Sequence, residues 1–258
     1  MTRLLIVAIG AAVLAAAGVV LAPRADAVAV PAYHPTRLAH IADAQQLIVV
    51  TGRSKTSSYS TLRTYEKTVN GSWTEKFAAM PARNGDKGWA VGTSRVQGTR
   101  TSPQGTYRIT TAFGVKPNPG AKLSYRLADH NDYWVGDQRD PKTYNLVQSS
   151  ASAKRTWRIG EAEKLSSYPR QYEYAAVIDF NRPAASTVKW NATHSEYVTT
   201  QPVNVALGSA IFLHINGKGA TAGCVSLNRT DMISVLKWLD PSRKPRIVMA
   251  PESEIGKA

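Results

Sequence analysis

The chain has 258 residues, of which 43% are hydrophobic, and this is enough for a packed core in one large domain or two small ones. Its formal net charge of +14 favours an acidic partner, such as an anionic bacterial wall polymer or a membrane surface. The basic residues are dispersed and form no Lys/Arg block, zinc finger or RNA-binding motif, which argues against nucleic acid as the partner.

Residues 1–27 have the pattern of an export signal. Arg3 supplies a short positive region, residues 4–21 are apolar and rich in alanine, and Ala25-Asp26-Ala27 offers a small-residue cleavage site. Because the apolar run is nearly long enough to span a bilayer, an uncleaved membrane anchor is the alternative. Both interpretations place the body of the protein outside the cytoplasm, and it contacts a membrane only if this segment is retained.

Residues 28–45 are predicted to be a linker. They contain Pro31 and Pro35, followed by a short polar stretch. His34 and His40 lie here, far in sequence from the other candidate site residues, and we expect both to be solvated.

Strands are predicted to dominate the remainder of the chain. Side chains alternate between Tyr59 and Val69 with the period of two that a half-buried strand shows. Asn70-Gly71 is typical of a type I′ hairpin turn into a partner strand over residues 72–77. The other predicted strands cover residues 47–51, 102–109, 172–180, 190–200, 208–215 and 246–249.

The middle of the chain, residues 117–152, is polar and rich in Asp, Asn, Pro and aromatic residues. Asp129-His130-Asn131-Asp132 contains metal-ligand residue types, but adjacent residues have no spacing that turns them inward together. A loop built on Asx turns is therefore predicted. Tyr133, Trp134 and Tyr144 either line a groove or pack this loop, and the sequence does not choose between the two.

One helix is predicted after the only cysteine. Thr230 or Asp231 can cap its start, and Asp240-Pro241 ends it. Its apolar residues fall on one face, namely Met232, Val235, Leu236 and Leu239. Many strands, one C-terminal helix and long loops predict a mainly β single domain, a sandwich or partly closed barrel, over residues 46–252.

Residues 211–227 carry the candidate chemistry. They contain Cys224, the only cysteine in the chain, and His214 ten positions before it. A single cysteine cannot form an intramolecular disulfide, so it is a reactive thiol, half of an intermolecular pair or an inert buried residue. A thiol becomes nucleophilic when an imidazole takes its proton, and the glycine-rich loop between the two residues lets them meet. The amides of Gly223 and Cys224 are candidates for an oxyanion hole.

This stretch resembles the catalytic domain of the L,D-transpeptidases, the YkuD-type enzymes that cross-link peptidoglycan. The family motif is a histidine, a glycine-containing loop and Ser/Thr-x-Gly-Cys followed by an aliphatic residue. Here it corresponds to His214 and to Thr221-Ala222-Gly223-Cys224-Val225. Ser102-Pro103-Gln104-Gly105-Thr106-Tyr107 is similar to the family's Thr-Pro-x-Gly-Thr-Phe turn before a strand.

The resemblance implies a mechanism. Cys224 attacks the carbonyl of the third stem-peptide residue, typically diaminopimelate, and expels the terminal D-alanine. A side-chain amine of a neighbouring stem then resolves the thioester and forms a 3→3 cross-link. His214 is the implied base, and Thr221 is implied to hydrogen-bond within the site. No metal or organic cofactor is implied, and the implied partners are peptidoglycan stem peptides.

Two positions depart from the family pattern. Ala222 stands where the family commonly has a second histidine, and Ser226 stands where it commonly has an arginine, which is a natural carboxylate binder. Arg229 lies nearby in sequence but does not match the motif. The departures indicate a divergent member with an altered substrate or weak activity.

Two other functions remain open at this point. Water can resolve the thioester, which would make the protein an L,D-carboxypeptidase, or the cysteine can have lost its function in a non-catalytic wall-binding protein. His194 and Ser226 are further candidates for the cleft, although a surface position on a polar strand is favoured for His194.

Overall fold

Short β-strands dominate the computed structural model, which describes residues 30–258. The export signal or anchor predicted for residues 1–27 lies outside the described residues. The strands are β1 Gln46–Gly52, β2 Tyr59–Lys67, β3 Trp73–Glu75, β4 Met80–Arg83, β5 Trp89–Val91, β6 Ser102–Gly114, β7 Ser124–Leu127, β8 Asp132–Val135, β9 Val147–Ser149, β10 Ala162–Lys164, β11 Ala175–Ile178, β12 Val188–Asn191, β13 Glu196–Thr199, β14 Phe212–Ile215, β15 Val225–Leu227 and β16 Arg246–Pro251.

Helical structure is sparse in the described part of the chain. The α-helix is α1, Arg229–Trp238. Single 3₁₀ turns cover Pro35–Arg37, Gly92–Ser94, Ile159–Glu161, Leu165–Ser167, Gln171–Glu173, Ala185–Thr187, Val205–Leu207, Pro241–Arg243 and Ile255–Lys257. None of the described helices is long and apolar enough to cross a bilayer.

Eight strands close into a barrel. Their order is β1, β16, β6, β11, β14, β15, β4 and β2, and antiparallel pairing of β1 with β2 completes the ring. Strand β3 pairs with β2, and β5 and β7 pair with β6. Two small sheets, β10-β8-β9 and β12-β13, lie outside this ring. With 35% of its residues in strands and one C-terminal helix, the structure confirms the predicted mainly β class, with a closed barrel as the architecture.

The two faces of β14 and β15 pack in different environments. Leu213 and Val225 belong to the main core, together with the apolar face of α1. Phe212 and Cys224, on the opposite face, belong to a second apolar cluster that also contains Trp134 of β8. Since side chains alternate along a strand, the cysteine lies on the face of the sheet that β8 covers and not in the main core.

Helix α1 confirms the predicted apolar face and corrects the predicted cap. Met232, Val235 and Leu236 are buried. The cap is Asn228, whose side-chain oxygen accepts from the Asp231 N–H at 2.9 Å, so the assignment to Thr230 or Asp231 was wrong. An amide oxygen one residue before the helix satisfies an N–H that has no partner within the helix.

Two predicted β elements differ from the structure. The β2–β3 hairpin forms, but its last pair is Lys67 with Trp73, and Gly71 has a positive φ whereas Asn70 does not. A type I′ turn requires both, so that prediction was wrong, and a longer loop closed by the Thr68 N–H on the Ser72 carbonyl replaces it. The strand predicted from residue 172 begins at Ala175, because Gln171–Glu173 forms a 3₁₀ turn.

The segment predicted as a linker packs closely where it is described. Leu38 and Ala44 are buried in a cluster with Val248 and Ile255. His34 contacts the Tyr65 ring edge-to-face at 5.8 Å between centroids, whereas His40 is exposed. Residues 31–258 form one compact unit.

The polar middle segment forms the predicted Asx loop. The Asp129 carboxylate accepts from the Asn131 N–H at 2.7 Å, and Asp132 pairs through both oxygens with Arg126. Within residues 30–258, no three His, Cys, Asp or Glu side chains are grouped so that they could hold a metal ion.

Candidate active site

Parallel pairing of β14 with β15 brings the candidate residues into one cavity. His214 is in register with Ser226, and the Phe212 N–H donates to the Cys224 Sγ at 3.3 Å. Cys224 and His214 both line a cavity of about 580 Å³. The structure therefore brings together the two residues that the sequence singles out.

The Cys224 thiol is held in its neutral form. It is 8% exposed, and its Sγ donates to the Ala210 carbonyl at 3.4 Å. Burial raises its pKa to about 12, and the Glu163 carboxyl adds to this rise, whereas the Phe212 N–H and Arg95 act in the opposite direction. The thiol is therefore not a preformed thiolate, and it needs a base when it attacks.

His214 is arranged to be that base. Its Nδ1 lies 2.8 Å from the Ile215 carbonyl, which can only accept, so Nδ1 carries the proton and Nε2 carries the lone pair. Burial lowers its pKa to about 4, and the bond to Ile215 acts in the opposite direction. Among the described residues the thiol bonds to Ala210 and Phe212 and not to His214, so the proton transfer requires the thiol to exchange its bond to Ala210 for one to His214.

Thr221 organises the turn that presents the cysteine. Its hydroxyl donates to the Cys224 carbonyl at 2.6 Å and accepts from the Gly223 N–H at 3.1 Å. The Gly223 N–H, a predicted oxyanion donor, is therefore engaged by Thr221 in this state. The Thr221 N–H in turn donates to the Asn84 carbonyl at 3.0 Å, which ties the turn to the segment after β4.

Gly223 is required at its position by geometry. Its φ is +145°, and a Cβ there would lie 2.9 Å from the Thr101 carbonyl oxygen and 3.0 Å from Arg95 Nη2. The loop before it is held by Arg83, whose Nη1 donates to the carbonyls of Gly217 at 2.9 Å and Gly219 at 3.1 Å. The backbone around the nucleophile is thus fixed from both sides.

The structure does not bring the other two cleft candidates to the cavity wall. Ser226 is fully buried, and its hydroxyl donates to the Asn216 side-chain oxygen at 2.7 Å. His194 lies in the turn between β12 and β13, where its Nδ1 is 2.7 Å from the Lys154 carbonyl. The described lining of the cavity contains neither residue.

The three aromatic residues of the middle segment have separate positions. Trp134 lines the cavity and is 3% exposed. Tyr133 packs on Trp157 with 5.7 Å between ring centroids, and Tyr144 is completely buried. Trp134 therefore lines a groove, and the two tyrosines pack the structure around it.

Arg95 is a site residue that the sequence does not reveal. It lines the cavity but is only 4% exposed, and no described carboxylate pairs with it. Its Nε and Nη1 each donate at 2.8 Å, to the carbonyls of Thr101 and Leu207, and Nη2 lies beside Gly223. It belongs to no motif, so no sequence signal marks it. Its positive charge favours negative charge on the nearby sulfur or on a bound substrate.

Arg229, the arginine near the motif in sequence, does not supply a positive charge to the cavity. It pairs with Glu173, with 2.6 Å between Nη2 and Oε1, and does not line the cavity. The cation beside the cysteine thus comes from residue 95, about 130 residues before the motif.

Glu163 is a second residue that sequence reasoning missed. It lies on β10, lines the same cavity and accepts a short hydrogen bond from the Tyr172 hydroxyl. Burial raises the pKa of its carboxyl. The Tyr172 ring packs edge-on against His214 with 5.5 Å between centroids, so the carboxyl and the base share one aromatic neighbour.

A closed barrel that presents a lone thiol and a neutral imidazole to one cavity has the parts of an enzyme domain with a cysteine nucleophile. The family model of the YkuD L,D-transpeptidase catalytic domain matches residues 42–248, and the chain belongs to this family. Members act on peptidoglycan stem peptides and are typically extracytoplasmic. A comparison with curated proteins found no match.

Proposed function

We propose that the protein is an L,D-transpeptidase that joins peptidoglycan stem peptides by 3→3 cross-links through a thioester on Cys224. The observation that carries this proposal is the tautomer of His214. Because the Ile215 carbonyl holds the proton on Nδ1, the basic Nε2 is the atom free to serve the cavity that Cys224 also lines. Family membership supplies the class of substrate.

The first half-reaction forms the thioester. Nε2 of His214 takes the thiol proton while Sγ bonds to the carbonyl carbon of the third stem residue. The bond from that carbon to the nitrogen of D-alanine then breaks, and the imidazolium returns its proton to the leaving amine. Because both groups start neutral, no separated charges need to be stored in the buried site before substrate arrives.

The second half-reaction transfers the acyl group. A side-chain amine of a neighbouring stem attacks the thioester carbonyl, the new C–N bond forms and the C–S bond breaks. One amine proton returns to the sulfur through His214. The Arg95 guanidinium stabilises the negative charge that develops next to Gly223 in both steps.

In this proposal the catalytic domain covers residues 46–252 and acts outside the cytoplasm, with residues 1–27 as a cleaved signal or a retained anchor. The net charge of +14 supports an additional attraction to anionic wall polymers. Nucleic acid is not a partner, and no cofactor takes part in either step.

The test is a product analysis. The protein is incubated with disaccharide tetrapeptides, and mass spectrometry should detect dimers that lack one D-alanine, together with an acyl-enzyme on Cys224. Cys224→Ala should remove both products, and His214→Gln should slow both.

The other outcomes identify the alternatives. Tripeptide without dimer would identify a carboxypeptidase that uses the same nucleophile. No acyl-enzyme with several stem types, combined with retention on purified sacculi, would leave a wall-binding protein.

A further inference from the structure

The cavity holds a carboxylate that the steps above do not use. Glu163 lines the same cavity as Cys224 and His214, yet no Lys, Arg or His among the described residues forms a salt bridge with it. Its hydrogen-bond partner is the Tyr172 hydroxyl. The adjacent acidic residue, Glu161, is different because it is exposed and pairs with Arg158 at 3.6 Å.

A carboxylate in this position is incompletely satisfied. It has about four acceptor sites, and one phenol hydroxyl fills one of them. Glu163 is only partly exposed, and an ionised carboxylate that is partly withdrawn from water is costly unless a cation or further donors meet it. Glu163 lines the cavity in which, under the proposed function, the acceptor substrate places its amine. An ammonium group has the charge and the hydrogen-bond donors that match the unfilled acceptor sites of this carboxylate.

An ammonium group bound to Glu163 would also affect the pKa of the Cys224 thiol. Its negative charge contributes to the raised pKa of Cys224 and of Tyr172. An ammonium group on Glu163 would neutralise this charge, which makes the sulfur a better leaving group when the thioester breaks.

We propose that Glu163 is the binding site for the ammonium group of the acceptor stem and that it removes one proton before the amine attacks the thioester. This inference rests on the proposed function, because it names the residue that selects an amine over water in the second half-reaction.

The proton balance of the step is complete. The ammonium gives one proton to the Glu163 carboxylate and becomes a neutral amine. That amine bonds to the thioester carbon, the C–S bond breaks, and the second proton passes through His214 to the sulfur. Protonated Glu163 then releases its proton to water, so the site returns to its starting state and no further reactant is needed.

The experiment separates the two half-reactions. A tetrapeptide donor is added to the full chain, and intact-mass spectrometry follows acyl-enzyme formation on Cys224. The acyl-enzyme then reacts either with water or with one of two added nucleophiles, and the ratio of transfer to hydrolysis is measured. One is diaminopimelate, whose amines are charged at neutral pH, and the other is hydroxylamine, which is uncharged.

Glu163→Gln keeps the size of the side chain and an acceptor for Tyr172. We expect acyl-enzyme formation to be retained and the ratio of transfer to hydrolysis with diaminopimelate to fall at least about tenfold, the loss typical of one charge-assisted contact. Transfer to hydroxylamine should stay within about twofold, because a neutral nucleophile gains nothing from a carboxylate. Glu161→Gln, a matched change on the same cavity wall, should leave both ratios unchanged.

A second measurement uses the wild-type protein alone. tert-Butylammonium is a cation whose amine is too hindered to attack, and it should inhibit transfer in competition with diaminopimelate without slowing acyl-enzyme formation. An unchanged ratio in Glu163→Gln, an equal loss with both nucleophiles, or no inhibition by tert-butylammonium would overturn the ammonium site. A wild-type protein that forms no acyl-enzyme would instead contradict the proposed function, and the ammonium site with it.

Discussion

The Ser102 hydroxyl donates a 2.7 Å hydrogen bond to the carbonyl oxygen of Gly223, a residue 121 positions away. It also accepts from the Gly85 N–H at 2.9 Å, and Ser102 itself is completely buried. The bond joins the Pro-Gly turn at the start of β6 to the turn that presents Cys224. The two motifs that carry the family resemblance are therefore parts of one support for the nucleophile.

Replacing Ser102 tests this support. Ser102→Ala leaves a buried carbonyl and a buried N–H without a partner, and each such group costs about 1–3 kcal/mol. We expect a lower free energy of unfolding in denaturant and slower acyl-enzyme formation. Ser94→Ala, which removes an exposed hydroxyl that donates to Val91 at 3.4 Å, should change neither quantity. Unchanged acylation in Ser102→Ala would show that the bond has no part in positioning Cys224.

Two glycines of the same loop give a matched pair. Gly223→Ala places a Cβ 2.9 Å from a carbonyl oxygen at a φ of +145°, so we expect a loss of about 1–3 kcal/mol of stability and of most acylation activity. A Cβ on Gly219 meets no atom within 4 Å, and Gly219→Ala should behave like the wild type. Thermal unfolding and the rate of acyl-enzyme formation measure both effects. Equal behaviour of the two variants would contradict a geometric requirement at Gly223.

Arg95 is predicted to lower the pKa of Cys224. Arg95→Gln removes the positive charge, so the thiol pKa should rise, and alkylation by iodoacetamide at a fixed pH should slow. We expect acylation by substrate to fall at least about tenfold, since stabilisation of developing negative charge is worth several kcal/mol in such sites. Arg100→Gln is the control, because Arg100 lines the same cavity but is exposed and pairs with Asp86 at 2.7 Å. A pH profile of alkylation that does not move in Arg95→Gln would exclude this role.

Burial of neutral His214 predicts a pH dependence of stability. Its pKa is about 4 in the folded protein against an ordinary 6.5, so the unfolded chain binds more protons between these values. Stability is therefore full above pH 6.5 and falls as the pH drops towards 4, by up to about 3 kcal/mol. His214→Gln should lack this slope, so the difference in unfolding free energy between the two proteins should change across that window. A constant difference from pH 4 to 7 would show that the histidine is not held neutral by burial.

Carboxyl groups with shifted pKa values do not alter this comparison between the wild type and His214→Gln. The pKa of Asp43 and that of Asp137 are lowered to about 2 by their arginine and lysine partners, so their stabilisation is lost only below pH 4. Burial raises the pKa of Glu163, which gives a slope of opposite sign but equal size in both proteins. The comparison with His214→Gln therefore isolates the imidazole.

Much of the fold was predictable because its signals are local. Period-two alternation identified β2, the apolar run before His214 identified β14, and the stripe from Met232 to Leu236 identified α1. The predictions that were wrong concern the ends of secondary-structure elements. The cap at Asn228 and the loop after Lys67 depend on backbone geometry that several residue types can supply.

The candidate nucleophile and base were also predictable, since a lone cysteine, a histidine and a glycine-rich turn lie within one short stretch. The contacts that other segments make with them were not predictable. Arg95, Ser102 and Glu163 come from three other segments, and only the closure of the barrel and the covering sheet of β8 and β10 bring them to Cys224.

The amino-acid sequence by itself determined the β class, the C-terminal helix and the choice of Cys224 and His214 as candidate nucleophile and base, because periodicity, turn residues and motif spacing act over a few neighbouring positions. Only the tertiary structure decided that the thiol and the imidazole are both neutral and that Arg95 and Glu163 face the same cavity. The reason is physical. A pKa depends on burial and on charges within a few ångströms, and these are set by residues that are far apart along the chain.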